Sequence, residues 1–206
     1  MRPERDRRAV PGQRYRGNMR VVGISGSPRQ GGNTDILLDK ALEGARSKGA
    51  ITEKIFLNRL DYRPCQECGG CDRTGACILP DDMRSVYKKI EKADSVVVAS
   101  PIFFTSLTAQ LKMMIDRFQC RWIAKYVLGN EPQFKKNKKG IFLSAAASGK
   151  KEFFSRARKI VRAFFVTIDA EYAGELFCHG LEKKGAVKKK RMILARAFRL
   201  GKSLVS

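Results

Sequence analysis

Histidine is nearly absent: His179 is the only one in 206 residues. Standing alone, it reads as a structural or surface residue rather than a general acid or base. Acidic residues are scarce as well, 20 against 42 Lys and Arg, for a formal net charge of +22. That deficit makes acidic partners, nucleic acid or anionic surfaces natural and does not choose among them. Long apolar runs are missing. The longest, such as residues 95–104, fall far short of the roughly 20 residues that cross a bilayer, so no membrane insertion is expected. No secretory signal is recognisable either, so the expected setting is a reducing, cytoplasmic one without stable disulfides. Internal repeats and a second domain are also missing, while 43% hydrophobic composition suits one domain with a real core.

What the chain does have is cysteine, packed closely. Cys65, Cys68, Cys71 and Cys77 fall within thirteen residues. Zinc fingers and ribbons set their ligand pairs about 12 to 20 residues apart, and that gap is missing here. Three thiolates at three-residue steps instead wrap the corner of an iron–sulfur cubane, for which the fourth can be local. Gly69, Gly70 and Gly75 allow the backbone to turn tightly and bring amides near the sulfurs. A reduced, metal-free loop and an adventitious zinc site remain the other readings. Cys120 and Cys178 read as small core residues.

Charge divides the chain. Residues 1–18 carry six arginines against Glu4 and Asp6, with Pro3, Pro11, Gly12 and Gly17 between them. They read as a disordered arm, and Met19 is the expected start of the folded unit and a candidate start of the native protein. Lys183, Lys184, Lys188, Lys189, Lys190, Arg191, Arg196, Arg199 and Lys202 face only Glu182 near the C-terminus; a solvated helix face explains them.

From residue 19 onward, short apolar strands alternate with periodic helices, the pattern of parallel strands joined by helical crossovers. Strands are expected at residues 20–25, 51–57, 95–100, 140–145 and 171–178. Helices are expected at 35–48, 82–92, 107–120 and 152–165, with a basic one from about 186. Leu38, Ala41, Leu42 and Ala45 form the apolar stripe of the first helix. Asp81 and Asp82 suit the dipole at the start of the second. Val96, Val97 and Val98 mark a strand buried on both faces, ended by Pro101. The cysteines occupy an insertion at about 61–80.

Ligands of such sheets bind at the carboxyl ends of the strands. The loop at residues 25–34 there combines hydroxyls, an amide, one guanidinium and three glycines. Backbone amides at a helix N-terminus favour an anion, and Arg29 can pair with a dianion bidentately. There is no Gly-Lys-Ser/Thr ending and no Gly-x-Gly-x-x-Gly, so neither a P-loop nor a dinucleotide fingerprint fits. A monophosphate such as that of FMN fits better. A glycine-rich turn with Asn33 or Thr34 as N-cap is the plainer reading.

This loop, with Ser100-Pro101-Ile102-Phe103-Phe104 and Leu111-Lys112-x3-Asp116-Arg117, resembles the NADPH-dependent FMN reductase family of flavodoxin-like proteins. With the four cysteines added, residues 20–120 resemble the iron-sulfur flavoproteins. The resemblance implies an α/β, flavodoxin-like five-stranded parallel sheet with helices on both faces, over residues 19–206. It implies an FMN whose phosphate sits on Ser25, Ser27, Arg29, Asn33 and Thr34, with its ring against Pro101, Ile102, Phe103 and Phe104. Plain core is the other reading of the two phenylalanines. Residues 144–149, starting at Ser144, form a third wall by topology. The cysteines would hold a 4Fe-4S cluster.

The function so implied is an FMN-dependent oxidoreductase and electron-transfer protein, with chemistry on the cofactors and no catalytic side chain. It would exchange electrons between a one-electron carrier, such as an acidic ferredoxin-like protein, and an acceptor. A cluster-free NAD(P)H-dependent FMN or quinone reductase is the alternative, and a basic nucleic-acid-binding protein the second. A homodimer or homotetramer is also implied. Trp122 and Tyr126, with residues 118–128, are the expected subunit surface.

Overall fold

Among the described residues, five strands pair in parallel: β1 (Arg20–Ser25), β2 (Ile51–Phe56), β3 (Ser95–Pro101), β4 (Lys138–Ala145) and β5 (Ala170–Cys178). Their order is β2-β1-β3-β4-β5. This computed structural model describes residues 19–131, 133–147 and 152–205. The arm assigned to residues 1–18, and Ser148 and Gly149 of the third wall, lie outside the described residues. β3 is central, with Val96, Val97 and Val98 opposite Val22, Gly23 and Ile24 on one side and Gly140, Ile141 and Phe142 on the other. Being buried on both faces, it carries apolar residues without alternation.

Among the described residues, six α-helices cover the sheet. One face packs against α1 (Asn33–Arg46) and α6 (Arg191–Ser203) through Val21, Val97, Ile141 and Leu143. The other packs against α2 (Met83–Lys92), α3 (Ala109–Arg117) and α5 (Phe153–Thr167) through Val22, Ile24, Val96, Val98 and Phe142. α4 (Gln119–Tyr126) follows α3 directly after a break at Phe118. The expected architecture is the observed one, a flavodoxin-like doubly wound sheet.

Three expectations at the level of single elements are corrected. The helix expected at 107–120 is two helices, because Phe118 leaves helical geometry and is buried edge-on between Tyr87 and Phe164. Pro101 is the last residue of β3, paired with Ala145, rather than the residue after it. The basic helix opens as one 3-10 turn, Ala186–Lys189, after a left-handed Gly185 at φ 75°. Also unforeseen is Lys138, where β4 begins. Its buried amine donates to the carbonyls of Ile90 and Ala93 at the end of α2.

α1 and α6 touch backbone to backbone. A Cβ built on Gly201 would lie 1.7 Å from the Ala41 carbonyl oxygen, and one on Gly44 would lie 2.0 Å from that of Phe198. Alanine normally stabilises a helix interior by about 1 kcal/mol relative to glycine. Gly201→Ala should reverse that sign, since the helices must separate, at a cost of about 1–3 kcal/mol. Urea unfolding measures it; a midpoint equal to or above that of the unaltered protein would contradict the close packing.

Candidate functional site

The strand order reverses between β1 and β3, which opens a crevice at their carboxyl ends. The loop after β1 is shaped from below by Asp35, 2% exposed in the first turn of α1. Its carboxylate accepts from the Ser25 hydroxyl at 3.2 Å and the Gly31 amide at 2.8 Å, and pairs with Lys54 at 2.6 Å. Gly31 sits at φ 69°, where a side chain would be strained. The Ser27 hydroxyl accepts from the Arg29 amide at 3.1 Å. No side chain caps the N-terminus of α1. Its first-turn amides therefore stay open to an anion.

The loop borders a cavity of about 280 Å³. Ser27, Arg29, Asn33 and Thr34 form one wall, Pro101, Ile102 and Phe103 a second, and residues 145–147 a third. Leu181, Glu182 and Lys184 add a fourth. Three of the expected residues do not line it. Ser25 is fully buried with its hydroxyl on Asp35. Ser144 is fully buried and donates to the Ser100 carbonyl at 2.7 Å. Phe104 is fully exposed, which sets aside its reading as core. Phe104 and Thr105 both have positive φ, 46° and 61°, between the paired Phe103 and Ser106. Two non-glycine residues in that region store local strain, a feature concentrated at functional loops.

Asn33 faces the cavity but spends its amide elsewhere. It donates to the carbonyls of Leu181 and Lys183 and accepts from the Val187 amide at 3.1 Å. It therefore pins the fourth wall to the phosphate loop.

The cysteine loop lies at the C-terminal end of α3. Cys65, Cys68, Cys71 and Cys77 line one open cavity of about 730 Å³, and the buried Cys120 lines it too. Gly69 and Gly75 turn the loop with φ of 68° and 66°. A Cβ at Gly75 would also come within 2.4 Å of that of Ala124 on α4. Burial pushes the Cys71 thiol up, with Cys120, Asp72 and Cys77 adding to it. Among the described residues, no three His, Cys, Asp or Glu side chains converge as ligands of a single metal ion. Asp81 anchors the far end of the loop. Burial alone would raise its carboxyl, but the Arg117 guanidinium and the amides of Arg63 and Met83 hold it below the usual range.

Arg117 and Thr108 tie these two regions together. Thr108 caps α3 and donates through its hydroxyl to the Gly26 carbonyl at 2.6 Å, within the phosphate loop. Arg117, at the other end, reaches Cys77. α3 thus braces both cavities.

A family model described as NADPH-dependent FMN reductase matches residues 19–175. The chain belongs to that family. An iron-sulfur flavoprotein of Methanosarcina thermophila is 36% identical over 130 residues, 63% of this chain and 64% of that protein. Another, of Methanocaldococcus jannaschii, is 42% identical over 99 residues, 48% of this chain and 51% of that protein. The match thus spans between half and two thirds of these relatives' own length. Among solved structures, an NAD(P)H:quinone oxidoreductase of Methanothermobacter marburgensis superposes with a TM-score of 0.67 at 18% identity, over 91% of this chain and 100% of that one. At that identity the likeness speaks to the fold.

Within this member of the FMN reductase family, three site residues escaped sequence reasoning. Asp35 carried one faint signal, an acidic residue in the first turn of a helix that follows a glycine-rich loop. Lys184 and Leu181 carried none, because they reach the cavity from about 150 positions away. Arg117 was visible only as part of a motif, with nothing to say that it turns inward. His179 is exposed, and Cys178 is buried in the core. No helix among the described residues is long and apolar enough to cross a membrane.

Proposed function

We propose that the protein is an FMN-dependent oxidoreductase of the iron-sulfur flavoprotein type, exchanging electrons between a one-electron carrier and an acceptor. The observation that carries this reading is the pair of cavities at the two ends of α3, one walled by the glycine-rich loop after β1 and the apolar loop after β3, and one lined by four clustered thiols. When bound, FMN supplies two-electron or stepwise one-electron chemistry and a 4Fe-4S cluster supplies single electrons.

The residues divide the work. Arg29, the Ser27 hydroxyl and the open amides of α1 hold the phosphate, and Lys184 adds a second cation at the cavity. Pro101, Ile102, Phe103 and residues 145–147 give the flat ring apolar faces. Cys65, Cys68, Cys71 and Cys77 hold the cluster. Their sulfurs are the soft donors iron–sulfur centres take, while the carboxylates beside them, Asp72 and Asp116, are harder. The positive charge of the chain suits an acidic, ferredoxin-like electron carrier, and NAD(P)H is a candidate donor. Trp122, Tyr126 and Val127 are 42%, 49% and 62% exposed on and just after α4, and this apolar strip supports a homodimer or homotetramer.

Protein purified without oxygen tests the reading through its absorbance spectrum and its iron, sulfide, zinc and flavin content. The expected result is flavin bands with about four iron and four sulfide per chain. Flavin with no iron after anaerobic reconstitution would favour a cluster-free NAD(P)H-dependent reductase instead.

A further inference from the structure

The neck of the cysteine loop is closed by one side chain. Arg117 ends α3 with only 1% of its side chain exposed, and its fork is spent on both arms of the loop. Nη1 donates to the Arg63 carbonyl, two residues ahead of Cys65, at 2.8 Å. Nη1 and Nη2 straddle the Asp81 carboxylate at 2.6 and 3.1 Å, four residues beyond Cys77. Nη2 also donates to Cys77 Sγ at 3.2 Å. Nε is buried without a protein partner.

A guanidinium is an expensive group to bury, even when paired. A loop staple alone would not require one of its donors to rest on a sulfur. A lysine could not do the same work, because only a planar fork reaches a carbonyl, a carboxylate and a sulfur at once. Hydrogen bonds to ligand sulfurs, and net charge near them, are the means by which a protein sets the potential of an iron–sulfur centre.

We propose that Arg117, with Asp81 as its counter-charge, sets the reduction potential of a cluster held by Cys65, Cys68, Cys71 and Cys77. This rests on the cluster reading above. Arg117 is a positioning residue and not a ligand. Its positive charge and its bond to Cys77 favour the reduced centre, which carries one more negative charge. Asp81 opposes that preference and fixes the fork in place. The ion pair therefore has two partners that act on the potential with opposite signs. The flavin cavity is remote from this control. Thr108, at the phosphate-loop end of α3, is nine residues from Arg117, about 13 Å along a helix.

The test is a redox titration of the anaerobically reconstituted full chain, following the cluster by electron paramagnetic resonance and the flavin by absorbance in the same sample. Arg117→Gln should lower the cluster midpoint, and Asp81→Asn should raise it. Arg117→Lys, which keeps the charge and loses the fork, should fall between Arg117→Gln and the unaltered protein. The flavin midpoint should stay in place throughout. A purely structural staple would not give opposite signs. Shifts of the same sign, or no shift at full iron content, would overturn the role of Arg117. If Arg117→Gln loses its iron, Asp81→Asn carries the test alone, and a midpoint that does not rise overturns the proposal. An unaltered protein that takes up no iron overturns the cluster reading and this role with it, so iron content and midpoint distinguish the two failures.

Discussion

Asp35→Ala should weaken FMN binding by about 10- to 100-fold, although Asp35 borders the phosphate loop from below and does not line the cavity. Two effects compete. Its carboxylate is negative and near the place of a dianion, so its removal relieves repulsion. Its bonds to Ser25 and Gly31 also hold the loop in shape. The pairing of the buried Asp35 with the half-buried Lys54 at 2.6 Å decides between them, because that cation, shared with Asp39 at 2.8 Å, offsets much of the Asp35 charge. Relief of repulsion is then small, whereas a lost charge-assisted hydrogen bond costs about 1.5–3 kcal/mol, which is the fold-change given. The loss should be specific for the phosphate. Titrating apoprotein with FMN and with riboflavin, which has no phosphate, separates the effects: FMN affinity should fall and riboflavin affinity should hold. Equal losses for both would mean general collapse of the site, and unchanged FMN affinity would remove Asp35 from the loop's support.

That prediction could not have been written from the sequence, and the reason is physical. Strand positions were legible because burial on both faces leaves a continuous apolar run, as at Val96, Val97 and Val98. The loop after β1 was legible as a candidate anion site because small residues, glycine and arginine must be contiguous to wrap an anion. Cysteine spacing was legible for the same local reason. The hidden parts depend on contacts across the fold. Asn33 reads as a phosphate ligand or an N-cap, yet its amide fastens Leu181, Lys183 and Val187. Phe118 reads as part of one continuous helix and of the subunit surface, yet it is buried, and packing between Tyr87 and Phe164 ends one helix there and starts the next. Arg117 reads only as part of a motif within a helix, yet it turns inward, and the cost of burying it is offset by Asp81, 36 positions away. Local pattern reports what a residue type permits; tertiary partners decide which permitted role it takes.

Cys68→Ser should abolish iron binding and leave FMN content unchanged. Serine preserves shape and removes the soft thiolate, so the loop keeps its fold while the donor set drops to three sulfurs. The flavin cavity shares no lining residue with the cysteine cavity, which is why its occupancy should not follow. Cys120→Ser is the matched contrast, because Cys120 lines the same cavity. Its Sγ is already engaged, donating to the Arg117 carbonyl at 3.3 Å, and a serine hydroxyl can make the same bond. Iron should therefore stay in Cys120→Ser. Iron and flavin analysis of both variants, reconstituted anaerobically side by side, decides the ligand set. Equal iron loss in both would make Cys120 a ligand and break the four-cysteine assignment. Full iron in Cys68→Ser would move the centre away from the loop altogether.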